Sequence, residues 1–521
     1  MKPIFKKIII IILGILTLVV LVNLGLNYWI DTKLPKIIAK NNDSPYHIKY
    51  ETLEVSLISK NIKASKITVV PKTNLNDTIN KLGVYANVTS VEIRDFKLWD
   101  ILFSNVIKAN KIIVNKPEIT LYKNTKKAIE NDRSIRDNVV EPFRKIIVVN
   151  DLDLNDGKIA ILYLKDNVPI LNAENITLQL EGIVITDEIL ERKIPFSYEK
   201  YAFSCDRLYY LTKDAYHIKA RNVATTNVGL EIKDFSMISA YSRDQFVNQL
   251  PKEKDLFTIK AKNIAVNNME WGFKKKEFFF NTKSVRMDEV AANIYRSKKP
   301  EDDLTKKPLY NKLLRELPFE MKVDTFAIRN SMLEYEEEKV ESRGSGRLTF
   351  NQFNLTALNL SSGFGHTKLP DVKIAVKCRF MNASPMEVDW RFNVMDKSDG
   401  FNIKGSILAF QTGQLAEFTR PYINITTKGT FDRIYFNFSG NDLESKGDLA
   451  LEYHDLKVTL YRKKKPEKVN KILTALGNLF VKKDTDNELV NAEVSIKRIP
   501  EKSFYNLLWR SIAEGLKKIL V

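Results

Sequence analysis

The chain has 521 residues, 44% of them hydrophobic, which is apolar material for two or three ordinary domains or one long repeat structure and argues against a disordered polymer. Lys and Arg total 82 against 64 Asp and Glu, so the formal net charge is +18 and the pI near 9.4, a balance suited to nucleic acid, anionic lipid headgroups or another acidic surface. The lysines are spread along the chain, however, and abundant Lys, Asn and Ile fits the coding bias of an AT-rich genome as well as it fits a binding patch.

Residues 1–7, with Lys2, Lys6 and Lys7, read as a cytoplasmic amino terminus ahead of an uncharged run at 8–26. At about 1.5 Å per residue, a helix over 8–30 covers the roughly 30 Å hydrocarbon layer and sets Tyr28 and Trp29 at headgroup depth. The bulky Asn27-Tyr28-Trp29-Ile30 exit is no signal-peptidase site, so the sequence predicts a retained, single transmembrane helix. The lysines ahead of it place the amino terminus inside and the rest outside the cytoplasmic membrane, against a weaker contrary pull from Lys33, Lys36 and Lys40. An exported chain meets little nucleic acid, so phosphate contact is expected only with lipid.

Beyond the span, short alternating stretches dominate: Leu53-x-Val55-x-Leu57, Ile176-x-Leu178-x-Leu180, Phe257-x-Ile259-x-Ala261, Val388-x-Trp390-x-Phe392-x-Val394, Ile434-x-Phe436-x-Phe438 and Leu449-x-Leu451-x-Tyr453. Each is the period of a half-buried strand, dry on one face and wet on the other. Asn155-Asp156-Gly157, Lys397-Ser398-Asp399-Gly400 and Gly440-Asn441-Asp442 read as turns, so the expected fold class is mainly β, an antiparallel sheet forming a groove or open sandwich. A loose repeat of Asn before a β-branched residue, at Asn61, Asn175, Asn222 and Asn263, predicts a turn between added strand pairs.

Helices are few. Residues 98–106 and 304–317 are candidates, and 126–143 reads as helix or exposed insertion. Pro300-Glu301-Asp302-Asp303 reads as a linker, which divides the chain after the span into β-rich parts at 31–300 and 301–466, followed by amphipathic helices with an intervening strand at 467–521. In that last part Val469, Ile472, Leu473, Leu476, Leu479 and Phe480 fit one helix face, and 503–520 is a second helix capped by Ser503 with Phe504, Leu508, Ile512, Leu516 and Ile519 on its apolar side. Both are expected to pack on the sheet, with membrane or partner contact as the alternative.

Catalytic signatures are missing. His47, His217, His366 and His454 have no metal-ligand spacing, and Gly344-Ser345-Gly346 lacks the strand-to-helix setting of a nucleophile. Cys205 and Cys378 read as buried apolar residues rather than a disulfide or metal pair. Glu334-x-Glu336-Glu337-Glu338 reads as a solvated strand edge or turn, and the basic clusters at 274–276, 298–299 and 462–465 as solvated turns. The expectation is a protein that is no enzyme and uses no cofactor or metal.

The stretch from Val91-Glu92-Ile93-Arg94-Asp95-Phe96-Lys97-Leu98-Trp99 to Asn115-Lys116-Pro117-Glu118-Ile119, together with the strands from Gly429-Thr430-Phe431 to Tyr453-His454-Asp455-Leu456, resembles the AsmA-like envelope proteins in their Bacteroidetes-like versions. The resemblance touches both ends of the chain and rests on structural motifs. It implies an inner-membrane-anchored periplasmic protein with a long, curved sheet whose concave face is apolar, as in bridge-like and chorein-type lipid carriers, acting in envelope lipid homeostasis or outer-membrane biogenesis. The implied partners are phospholipid or another envelope lipid, the inner membrane and an envelope protein. The expected lipid contacts are Phe257, Ile259, Trp390, Phe392, Phe436, Phe438, Leu449 and Leu451. The alternative is a structural or interaction scaffold in which the same strands close on themselves.

Overall fold

The computed structural model describes residues 28, 32, 46–56, 59–72, 83–97, 107–123, 147–184, 196–274, 277–462, 468–480 and 482–521. The expected span at 8–30 lies, Tyr28 apart, outside the described residues, as do 98–106, 126–143, 275–276 and 463–465. Among the described residues no helix is long and apolar enough to cross a membrane. The described residues are mainly β, with 21 strands among them in a mixed, largely antiparallel arrangement and a few short helices. The chain divides into two compact units, Met1–Thr212 with Lys219–Asn227, and Lys213–Ile218 with Val228–Val521.

In the first unit β1 (Tyr46–Lys49) and β2 (Thr52–Ser56) both pair with β3 (Asn61–Pro71). β4 (Gly83–Arg94) and β5 (Ile107–Lys123) follow antiparallel; β6 (Ile147–Tyr163) joins β5 in parallel; β7 (Pro169–Glu181) and β8 (Lys200–Leu211) continue antiparallel. β9 (Tyr216–Thr226) is divided between the two units. An apolar row runs from Val55 through Ile62, Ile93, Ile112, Leu152 and Leu180 to Tyr201, each paired with the next.

In the second unit β11 (Leu256–Lys274) pairs antiparallel with β10 (Gly229–Ser239), β12 (Glu277–Asp288) and β13 (Ala291–Ser297). β12 and β13 both run parallel to β14 (Glu320–Val340). From there β15 (Gly344–Ser361), β16 (Val372–Phe380), β17 (Ser384–Phe392), β18 (Phe401–Gln411), β19 (Ile425–Gly440), β20 (Glu444–Leu460) and β21 (Val490–Lys497) pair antiparallel in chain order. Helices occupy Arg243–Gln249, Tyr310–Arg315, Ala416–Ile423, Lys471–Phe480 and Phe504–Leu520.

Three findings correct the sequence reading. The sheet is mixed, because β5–β6, β12–β14 and β13–β14 are parallel, and parallel neighbours need a crossover connection. Residues 300–303 belong to such a crossover, between β13 and β14: Lys252 bridges to Glu301 and the Lys307 amide donates to the Pro500 carbonyl at 2.8 Å. The two compact units divide the chain near Thr212 and Val228.

The third correction concerns the asparagine motif. Asn175 and Asn222 sit inside β7 and β9, not in turns, with φ of 53° and 45°. Asp156, read as part of a turn, lies inside β6 at φ 53°, where the pairing with β7 is shifted between Leu154 and Gly157. Asn and Asp adopt this left-handed conformation at low cost, and one such residue resets which side the chain presents to the core. The buried neighbours stand two before and one after it: Ala173 and Ile176 about Asn175, Ala220 and Val223 about Asn222, Val266 and Met269 about Asn268. Strands of 19 and 21 residues, β11 and β14, are thereby built from alternating pieces whose phase slips midway.

Candidate functional site

Two unbroken apolar rows cross the second unit. One runs Leu230, Val266, Val285, Phe326, Ala357, Ile374, Trp390, Ile403, Phe438, Gly447, Val494, each residue paired with the next on the neighbouring strand. The other runs Ile232, Ile264, Met287, Ile328, Leu355, Val376, Val388, Gly405, Phe436, Leu449, Ala492. Side chains alternate across a strand, so the intervening residues face the other way, and they are polar and exposed: Lys373, Lys377, Glu387, Asp389, Arg391, Lys404, Asn437, Asp448 and Glu493. Lys377 and Glu387 pair there at 2.9 Å.

The β16–β21 end of this face is closed. Helix Phe504–Leu520 begins at Ser503, whose hydroxyl accepts from the Asn506 amide, and buries Phe504, Leu507, Ser511, Gly515 and Ile519. Phe504 stacks on Trp390 with ring centroids 4.5 Å apart and meets Phe401 edge-on. Gly515 lies so close to β20 that a Cβ there would stand 2.6 Å from the Leu449 Cβ, and beside it the Ser511 hydroxyl donates to Ser445 at 3.1 Å. Tyr310 and Leu314 of helix Tyr310–Arg315 pack against the same core.

The expected lipid contacts fall into two groups. Phe392, Phe436, Phe438, Leu449 and Leu451 are buried in this core, the last three wholly, and the half-buried Trp390 lies under Phe504. The chain's own helix occupies the face they present. Phe257 packs on a separate cluster with Phe246 and Val247 of helix Arg243–Gln249, and Ile259 is half-buried on the same strand. Outside the core beneath helix Phe504–Leu520 the rows are half-buried at Leu230, Ile232, Ile264, Val285, Met287, Phe326, Ile328 and Leu355, with Val266 and Ala357 buried among them. Sequence reasoning missed these because each strand there contributes only two apolar residues before a phase slip; the register across strands reveals the row.

A second feature overturns the reading of Glu336 and Glu337 as solvated. Both are buried. Arg243 reaches Glu336 through both guanidinium nitrogens, one at 3.0 Å, and the Ser345 hydroxyl and Asn293 amide each donate to it at 2.7 Å. Burial alone would raise the Glu336 pKa, but the bonds from Arg243, Ser345 and Asn293 prevail and hold it at about 2. Tyr335 donates to Glu337, and burial with that carboxylate beside it pushes the phenol well above its ordinary range. Next to them Arg296 forks onto Asp255 and Lys298 donates to Glu253 at 2.8 Å. Arg243 is 93 residues from Glu336, so no local spacing announces the pair. Each charge is matched by another, an arrangement that fixes β13 and β14 to their neighbours.

His454 donates from Nδ1 to the Asp432 carboxylate at 2.7 Å, which raises its pKa; the histidine is exposed and Asp432 half-buried. Cys205 and Cys378 are free and buried, and burial pushes the Cys378 thiol up to about 11. Among the described residues no group of three His, Cys, Asp or Glu is placed to hold a metal ion. No protein-family model matches the chain, and no curated protein matches it.

Proposed function

We propose that the chain is a single-pass inner-membrane protein whose periplasmic part binds or transfers phospholipid without catalysis, in envelope lipid homeostasis or outer-membrane biogenesis. The observation that carries this reading is the half-buried stretch of the two apolar rows, from Leu230 and Ile232 to Leu355, continuous with a stretch that the protein covers itself. Apolar surface of that extent in water calls for an occupant. Acyl chains supply one, at about 0.8 kcal/mol per methylene removed from water, with the headgroup left at the rim. The hydrophobic run at 8–30 supports the anchor, and the AsmA-like resemblance supports the envelope setting.

A photo-crosslinking residue at Met287 or Ile328 should capture phospholipid in cells, and one at the outward Arg391 or Asn437 should not. Equal labelling at all four positions, with no phospholipid in a mass spectrum of the purified protein, would leave the scaffold reading in its place. That second reading has its own support in the closed aromatic core beneath Phe504–Leu520, which needs no ligand.

A further inference from the structure

Helix Lys471–Phe480 is mounted on the sheet by its polar side. Strand β21 pairs with β20 only as far as Leu451; beyond it the same edge of β20 has no strand partner and is met by Thr485 at Tyr453, by Lys483 at Leu456 and by Asn470 at the Leu460 carbonyl. The helix seals part of that edge. The Thr474 hydroxyl accepts from the Leu460 amide at 3.0 Å and donates to the Leu460 carbonyl, and the Asn478 amide group accepts from Val458 N–H at 2.9 Å and donates to Val458 C=O at 2.8 Å. Thr474 and Asn478 are four apart and so share a face. An open strand edge is an aggregation hazard, so this polar seating has a structural reason. Its consequence is that Ile472 and Leu473 are thrown outward, 74% and 48% exposed, with Val469 exposed just before them. Lys468 and Lys471 are exposed beside these residues, as is Arg462, whose backbone N–H donates to the Lys468 carbonyl at 2.9 Å.

We infer that this helix is a docking element for the surface of an anionic lipid bilayer. Large apolar side chains flanked by lysines are the chemistry that enters the headgroup boundary, the apolar groups by partition and the cations by attraction to anionic lipid. A protein groove or a second copy of the chain would also bury Ile472 and Leu473, but the surrounding excess of positive charge selects a negatively charged sheet of headgroups. The inference is independent of lipid carriage along the apolar rows.

The test uses the full chain in nanodiscs of phosphatidylcholine, with an environment-sensitive dye on Ile472→Cys; the native thiols are buried. Added vesicles containing one third phosphatidylglycerol should shift the emission to the blue and raise it severalfold, whereas vesicles of phosphatidylcholine alone should not. Replacing Lys468 or Lys471 by Gln should weaken the vesicle titration about fivefold each. A dye on Asn437→Cys, on the wet face of the sheet, should stay unchanged. Leu473→Cys repeats the measurement at a second site should the first label perturb the helix, as judged by its melting curve. No shift with anionic vesicles, an equal shift at Asn437, or a shift without vesicles that grows with protein concentration, as a second copy would give, overturns the inference.

Discussion

Two helices near the carboxyl end, Lys471–Phe480 and Phe504–Leu520, have the same amphipathic pattern and meet the sheet in opposite senses. The later one turns its apolar side inward onto β20, where Gly515 permits backbone approach and Phe504 and Leu507 fill the core. The earlier one turns polar groups inward and leaves Ile472 and Leu473 in water. The difference lies in what each finds beneath it. Phe504–Leu520 lies over an apolar face, whose burial drives packing; Lys471–Phe480 lies along a strand edge, whose unmet N–H and C=O groups outweigh a few apolar contacts. Amphipathicity therefore says that a helix has two sides and does not say which side the protein keeps.

The largest expected effect separates the two helices directly. Phe504→Ala removes a ring packed against Trp390, Phe401 and Tyr310 and should cost about 3–5 kcal/mol, read as a lower midpoint in denaturant unfolding. Ile472→Ala, at a site three-quarters exposed, should change stability by about 0.5 kcal/mol or less. Comparable losses at both sites would mean that the two helices are seated alike.

A smaller effect tests the polar seating itself. Thr474→Val leaves the Leu460 N–H, and Asn478→Leu the Val458 N–H and C=O, without these partners, while the Leu460 carbonyl keeps the Asn470 N–H; both add apolar surface to the helix. If the edge is what holds Lys471–Phe480, each should cost about 1–3 kcal/mol, and hydrogen exchange should accelerate at the Val458 and Leu460 amides. Unchanged exchange would mean that apolar packing fixes the helix after all.

The same contrast marks how much of the molecule was legible in its sequence. The strands around Val388–Phe392 and Ile434–Phe438, the Ser503 cap and the outward Arg391 follow from period-two and capping patterns, because neighbours in sequence decide them. The parallel pairs, the burial of Glu336 and the orientation of Lys471–Phe480 do not, since each depends on a group far along the chain: the crossover after Ser297, Arg243, and the edge of β20. The left-handed residues inside strands lie between these cases. Asn175 and Asn222 were visible as a repeat, but a single left-handed residue breaks the alternation that identifies a strand, and so reads as a turn. The period-two pattern puts Phe436 and Leu449, two of the expected lipid contacts, on the apolar side of their strands; that a helix 55 or more residues later covers them is information that no local pattern holds.

The smallest expected effect is a pH dependence that only one of the two helices should show. The entry to Phe504–Leu520 is tied by Lys502, which donates to Asp302 at 2.9 Å. Asp302 is held at about 2 by its neighbours, the Glu253 carboxyl first and Lys502 next. Its folded pKa lies below the ordinary 3.8, so the tie stabilises fully above 3.8 and is lost as pH falls from there toward 2. Glu253 moves the other way, raised by burial first and then by Asp302. Arg296 and Lys298 face the Glu253 carboxyl. Asp302 is exposed, so the change should be a modest, local loosening of the helix start rather than unfolding. Near-ultraviolet circular dichroism should report it, because Trp390 is stacked on Phe504 one residue beyond the Ser503 cap. The aromatic signal should weaken between pH 4 and pH 2 in the native chain, and Asp302→Asn should show the weakened signal already at pH 5 and no further step. Helix Lys471–Phe480 is seated by Thr474 and Asn478, neither of which titrates, so the exchange protection of Val458 and Leu460 should hold constant across the same range once corrected for intrinsic rate. A parallel loss at both helices would assign the acid response to the sheet beneath them and remove the distinction.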